Sequence, residues 1–271
     1  MEITNKSITE KKFKRLSIQV SLDGLSFCAS DTVNKDILEI KQVSFSDYPK
    51  NFSIENSLWK SFMEFDALTA QYDDIVVLHE NSLNSFVPEA LFDENYKGSY
   101  LQYNTKVFET DFFTFDQLKT HEMINVYVPY VNINNYLIDQ FGSFEYKHFG
   151  SILVEGLLKK SSKSISSVMY VHVAATHFEI IVIQNQKLQL YNSFEYQNAD
   201  DFIYFILFTA EQLHLNPEDF SLILLGLIRE EDALYKKLYD YVRNVTFLEV
   251  PKNLNEINAS EYRKHFVILR S

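Results

Sequence analysis

Residues 168–247 read VMYVHVAATHFEIIVIQNQKLQLYNSFEY (168–196), NADDFIYFILFTAEQLHLNPEDF (198–220), SLILLGLI (221–228), REEDALYKKLYDYVRN (229–244) and VTF (245–247). Met169 to Val173 and Phe178 to Ile183 are rich in β-branched and aromatic residues, as strands are, with Ala174–His177 between them. Asn185-Gln186-Lys187 is a second turn signal before the alternating Leu188 to Tyr191, so three antiparallel strands follow one another. Asn198 is placed to cap a helix, with Asp200 and Asp201 in its positively polarised first turn. From Phe202 to Leu213 nearly every face is apolar, which predicts a helix buried on more than one side and ended by Asn216-Pro217.

Leu222 to Ile228 is a continuous apolar run, the pattern of a strand covered on both faces. Leu234, Leu238, Tyr241 and Val242 then mark one face of an amphipathic helix, and Val245 to Val250 closes the segment as a strand. The order is β-β-β-α-β-α-β.

The first half shows the same opening. Leu16 to Ser21 and Leu25 to Ala29 flank the hairpin signal Asp23-Gly24, and Ile37 to Phe45 gives a third strand. Leu58 to Tyr72 reads as a helix and Ile75 to Leu78 as a short buried strand. Leu16–Leu78 thus matches Val168–Leu225 in order and spacing, which points to an internal duplication. Residues 79–122 are less regular: Val87–Phe92 has a short-helix pattern and Tyr100–Phe108 a strand pattern. Asn125–Tyr130 is a strand, Asn132–Phe141 a helix capped near Asn132 and stopped at Gly142, and Ser151–Lys160 a further helix. Glu145-Tyr146-Lys147-His148-Phe149 also matches Glu261 to Phe266, so the halves are expected to end alike. The predicted division is 1–160, with an insertion at about 79–122, and 161–271, separated at the serine-rich stretch 161–167.

Composition narrows the function classes. The net charge of −12 argues against direct nucleic-acid binding, and the basic run Lys11–Arg15 reads as a solvated tail. Cys28 is the only cysteine, which rules out an intrachain disulfide and a cysteine-based zinc site, and its apolar surroundings give a buried, inert thiol. No apolar run approaches the ~20 residues of a membrane span, and no signal peptide opens the chain, so a cytoplasmic protein is expected. Only 6 glycines occur, where average usage of roughly 7% would place about 19, so phosphate-cradling loops are scarce. A codon bias toward Phe, Tyr, Asn and Lys is the competing explanation.

Two copies of a β-β-β-α-β-α-β unit resemble the actin-like ATPase fold. The phrases LSIQVSLDGLSF (16–27) and DDFIYFILFTAEQLHLNPEDFSLILLG (200–226) carry a narrower resemblance, to a bacterial family of unknown function assigned that fold. It extends over nearly the whole chain and implies an α/β protein with two subdomains around a nucleotide cleft. In active members of the superfamily a strand-end Asp in each hairpin places magnesium, and glycines let the backbone wrap the phosphates. Here Ser21 stands at the first Asp position and His172 at the second, Ala174 replaces a glycine, and Leu224–Ile228 keeps one of the paired glycines of the adenosine motif. If a nucleotide binds, the resemblance assigns it to Asp23, Gly24, Thr176 and Gly226; Asp23-Gly24 also reads as a type I′ turn and no more.

His172 and His177 would face opposite ways on one continuous strand, so a shared metal would need the turn between them. His79-Glu80 follows a buried strand and has no defined catalytic partner, and Gly-x-Ser-x-Gly, P-loop and His-Glu-x-x-His motifs are absent from the sequence. No catalytic residue and no metal ligand is therefore assigned. The expected function is a non-catalytic adaptor or scaffold without cofactor, whose partner is another protein met through the aromatic segment 93–115. A lid that packs on its own domain is the equal alternative for that segment. The alternative function is a nucleotide-binding protein or slow ATPase or kinase using ATP and magnesium at Asp23 and Thr176.

Overall fold

The computed structural model describes residues 13–34, 36–108, 110–161, 167–251 and 257–271. The chain opens with β1 (Lys14–Val20), β2 (Gly24–Asp31), β3 (Asp36–Ser44), α1 (Ile54–Glu64) and β4 (Asp74–His79). Then come β5 (Asn84–Pro88), α2 (Lys97–Leu101), β6 (Thr114–Leu118), β7 (Met123–Tyr127), α3 (Val131–Phe141), β8 (Glu145–His148) and α4 (Phe149–Ser161). The second half runs β9 (Val168–Val173), β10 (His177–Gln184), β11 (Lys187–Glu195), α5 (Ala199–Gln212), β12 (Ser221–Gly226), α6 (Ala233–Tyr239), β13 (Asn244–Phe247) and α7 (Ala259–Lys264). Among the described residues no helix is long and apolar enough to cross a membrane.

Two five-stranded sheets share one arrangement, β3-β2-β1-β4-β8 and β11-β10-β9-β12-β13. In each, the first strand lies antiparallel to the second and parallel to the fourth. The chain forms two compact units by contact, one of residues up to His79 with Tyr130–Tyr146, the other of Glu80–Pro129 with Lys147–Ser271. This grouping differs from a division by chain order because α4 packs against β10, β11 and β6. Of the serine-rich stretch, residues 162–166 lie outside the described residues.

In the first unit Leu16, Ile18 and Val20 alternate inward from β1 and meet Leu58 and Phe62 of α1 and Ile133 and Leu137 of α3. Ser53 caps α1, its Oγ accepting the Asn56 N–H, and the helix ends at Glu64 rather than Tyr72 because Phe65 is extended. α3 starts one residue early and its N-cap position, Tyr130, makes no side-chain cap, so Asn132 does not cap it; Gly142 at φ +80° stops it. Lys14 and Arg15 are not tail residues. They open β1, where Arg15 Nη2 meets Asp74 Oδ2 at 2.5 Å; Lys11 and Lys12 lie outside the described residues.

In the second unit Met169, Val171 and Val173 of β9 join Phe178, Ile180 and Val182 of β10 against Phe202 and Ile206 of α5 and Leu238 of α6. Asn198 Oδ1 accepts the N–H groups of Asp200 and Asp201, the cap expected there. α5 is not buried all round. Tyr204 and Phe208 are 59% and 44% exposed with their rings stacked at 6.0 Å, because the helix covers one sheet with one face.

The insertion is a third sheet, β5-β7-β6, over a core of Val87, Leu101, Ile124 and Val126. Of the expected short helix 87–92 only Glu89–Leu91 is helical, as a single 3-10 turn, while Val87 belongs to β5, and Tyr100 lies in α2, not a strand. The matching ends of the halves also differ: Glu145–His148 is strand β8, whereas Glu261 lies in helix α7.

Cys28 is 4% exposed, and burial pushes its thiol up to about 11. A thiol at about 11 instead of 9.0 carries roughly 100-fold less thiolate at pH 8. Native protein is expected to label with a disulfide reagent at least that much more slowly than protein in urea. Equal rates in the two would contradict the burial.

Candidate functional site

The first hairpin closes on itself. The Ser21 N–H donates to Gly24 O at 2.9 Å, and the Ser21 Oγ accepts the Asp23 N–H at 3.2 Å. The Ser21 hydroxyl at the strand-end position thus serves the turn. Gly24 lacks the positive φ of a type I′ turn, so that expectation is corrected. It is glycine because a Cβ there would lie 2.3 Å from Val43 O on the neighbouring strand. Asp23 is exposed at this turn.

The second hairpin carries Thr176 and Gly226 at one end of its sheet. The Ala174 N–H donates to His177 O at 2.9 Å, and Thr176, exposed in this turn, accepts the Tyr196 N–H on its carbonyl at 3.3 Å. Gly226, at φ +89°, lies beside Val173, whose carbonyl accepts the Leu227 N–H at 2.7 Å.

Behind this turn lies a buried ionic cluster. Glu179 is 2% exposed and His172 5%, and they are register partners across β9 and β10. His172 Nδ1–H donates to Glu179 Oε2 at 2.8 Å. His177 Nε2 lies 3.2 Å from Glu179 Oε1 and 3.6 Å from Glu80 Oε1, and Ser193 Oγ donates to Glu179 Oε1 at 3.4 Å. Burial alone would neutralise both partners. For Glu179, hydrogen bonds from His172 and His177 outweigh burial and hold the carboxyl at about 2. For His177, hydrogen bonds to Glu179 and Glu80 outweigh burial and raise the imidazole to about 11. An ionised carboxylate therefore holds a charged imidazolium. The Tyr191 hydroxyl is buried nearby without a hydrogen-bond partner among the described residues; burial, then the charges of Glu179 and Glu80, push it well above its ordinary value.

The buried His79 and His148 each accept a backbone N–H on Nδ1. His79 Nδ1 accepts the Tyr130 N–H at 3.3 Å while Nε2–H donates to Asn134 Oδ1 at 2.9 Å, and burial lowers it to about 4. His148 Nδ1 accepts the Gly150 N–H at 3.0 Å, leaving Nε2–H to donate to Asn81 O at 3.1 Å. Asp116 is pushed up to about 6 by burial, against donation from the Ser151 hydroxyl, the His148 N–H and the Tyr127 hydroxyl.

Magnesium demands oxygen ligands. The residues at the two strand-end positions supply no carboxylate for it: Ser21 offers a neutral hydroxyl whose oxygen already accepts the Asp23 N–H, and His172 presents an N–H already given to Glu179. No group of three or more His, Cys, Asp or Glu among the described residues has the arrangement to hold a metal ion. Glu179 and its bond to His172 were missed from sequence. The signal was present: a lone carboxylate in the apolar run FEIIVI must be paired if it is buried.

The chain belongs to the family described as Protein of unknown function (DUF3822), which matches residues 3–245. No curated protein matches the sequence. It is similar to a solved Bacteroides thetaiotaomicron VPI-5482 protein with an actin-like ATPase fold and unknown function, at 25% identity over 89% of this chain and 93% of that one, with a TM-score of 0.78. The PilM-PilN type IV pilus biogenesis complex contains a chain of the same fold, at 11% identity over 95% and 97%, with a TM-score of 0.61. The fold is that of the actin-like ATPases.

Proposed function

We propose that this family member is a non-catalytic actin-like protein, an adaptor or scaffold that binds another protein and has lost the nucleotide chemistry of its fold. One observation carries the reading: both strand-end positions that the fold uses for metal are committed to other bonds, Ser21 to its turn and His172 to Glu179. The repeated strand order supports descent by duplication, with the two hairpins as equivalents. The segment 93–115 supports a protein partner while also packing on its own sheet. Tyr100, Phe113 and Phe115 face the core of the insertion, whereas Tyr96, Tyr103, Phe108 and Phe112 are exposed. The pilus complex PilM-PilN pairs a chain of this fold with a second protein, which is compatible with such a role. We place the protein in the cytoplasm and, given its net charge of −12, away from nucleic acid.

Calorimetric titration with ATP and ADP, with and without magnesium, tests this. The expected result is no saturable heat at millimolar nucleotide. Magnesium-dependent saturation that is lost in Asp23→Ala and Thr176→Ala would overturn the reading and establish a nucleotide-binding protein.

A further inference from the structure

A cavity of about 650 Å³ opens between β5 and β11, closed at one side by residues 104–106 of the inserted segment. Both strands are sheet edges. The direction of their free backbone groups follows from the ladders. Ala174 and His177 form a bonded pair, so alternation along β10 turns Phe178, Ile180 and Val182 toward β11, where they meet Phe194, Asn192 and Leu190. Tyr191 and Ser193 therefore point their N–H and C=O groups outward. In β5, Val128 N–H bonds Leu83 O and Glu89 N–H bonds Glu122 O, so the alternation leaves Asn84 and Phe86 outward.

Two edges without a strand partner among the described residues thus line one groove, and the Phe86 and Tyr191 rings bridge them at 4.9 Å. Natural proteins blunt such edges with proline or charge. β5 ends in Pro88, whereas β11 carries charge only at its two ends, Lys187 and Glu195, and has neither proline nor charge from Leu188 to Phe194. The Ser193 N–H donates to the exposed side chain of its neighbour, Asn192 Oδ1, at 3.0 Å. Charge selects further. In a chain with 37 acidic residues no carboxylate among the described residues lines this groove, and the one charged group among them that does is the exposed Lys106.

We propose that the groove takes an extended segment of a partner protein, apolar on one side and acidic on the other, which adds to β11 as a further strand with its carboxylate at Lys106. Backbone pairing supplies affinity in this mode and alternate side chains supply selectivity. The inference rests on the adaptor reading and states the kind of partner. Its test uses no nucleotide, so the two can fail separately.

The full chain is panned against a phage library of random linear dodecapeptides, and enriched peptides are synthesised and measured by fluorescence anisotropy. The expected peptides alternate apolar and acidic residues, and binding weakens at least about tenfold in Lys106→Glu, a charge reversal in the groove. A peptide with its acid changed to lysine regains affinity for that variant. Amide exchange of Tyr191 and Ser193 slows on binding. Lys106 is exposed, so the variant is expected to melt as the wild type does. Peptides that bind Lys106→Glu equally, or that protect no amide of β11, would overturn the proposal. So would a library that yields nothing above an unrelated control protein, or a dimer of the protein alone that Lys106→Glu dissociates, which would put a second copy on this edge.

Discussion

Replacing Glu179 with glutamine is expected to lower the unfolding free energy by about 3–5 kcal/mol, read from urea titrations at pH 6, because removing one partner of a buried pair strands the other. Glutamine keeps the size and the acceptor oxygen but not the charge. His177, 23% exposed, would then rely on Glu80 at 3.6 Å, and His172 would lose its acceptor charge at 2.8 Å. The loss depends on pH with a definite sign. The Glu179 carboxyl sits at about 2 in the fold against 4.5 as a free side chain, so its contribution is complete above 4.5 and disappears as pH falls toward 2. The His177 imidazole sits at about 11 against 6.5, so its contribution is complete below 6.5 and declines as pH rises toward 11. Both describe one interaction and are not summed. The gap between wild type and Glu179→Gln is therefore widest between 4.5 and 6.5 and narrows on either side. A gap under about 1 kcal/mol, or one unchanged from pH 6 to pH 9, would show that the cluster does not hold the hairpin.

The fold was legible where burial imposes a strict period. β9 and β10 are buried along nearly their whole length, so their β-branched runs stand out, and β12 between two parallel neighbours is the apolar run such a strand must be. Where the period weakens, reading failed for identifiable reasons. β8 is Glu-Tyr-Lys-His, too short and polar to signal a strand; only its place beside β4 makes it one. Tyr100 and Leu101 look strand-like by composition, yet their partners lie far off in β6 and β7, and a sheet of three short strands leaves little local pattern. α5 misled in the other direction. Its Tyr204 and Phe208 are apolar by count but face outward, which composition cannot reveal.

The candidate site divides in the same way. That Ser21 and His172 stand where the resemblance expects strand-end aspartates could be read from the chain, but the bonds each makes could not. The pairing of His172 with Glu179 could have been read, because a turn at Ala174–His177 sets the two opposite each other. The contact of His177 with Glu80, and that of the Tyr191 ring with Phe86, join segments far apart in sequence, and nothing local announces them. The groove at β11 belongs to this class as well, since an edge is defined by which strand fails to appear beside it.

Gly226→Ala is expected to cost at least about 3 kcal/mol, the range of a substitution that combines backbone strain with a steric clash. The residue has φ +89°, where an L side chain is strained by roughly 1–2 kcal/mol even in open space. Space is also lacking: a Cβ would lie 2.2 Å from Val173 O and 2.7 Å from Val173 N. These are backbone atoms of the central strand β9, and Val173 O is fixed by the Leu227 N–H, so they cannot yield as a side-chain tip would. Gly142 is the internal control. It has a similar φ of +80° and nothing within 4 Å of the position a Cβ would take, so Gly142→Ala should show the strain alone, about 1–2 kcal/mol. Unfolding midpoints of the two variants separate strain from clash, and equal losses would mean that Gly226 does not approach Val173 as closely as described. The comparison bears on function. The resemblance places Gly226 in the adenosine motif, where glycine admits a nucleotide. Here the backbone of Val173 already requires glycine, so the survival of this residue needs no nucleotide to explain it.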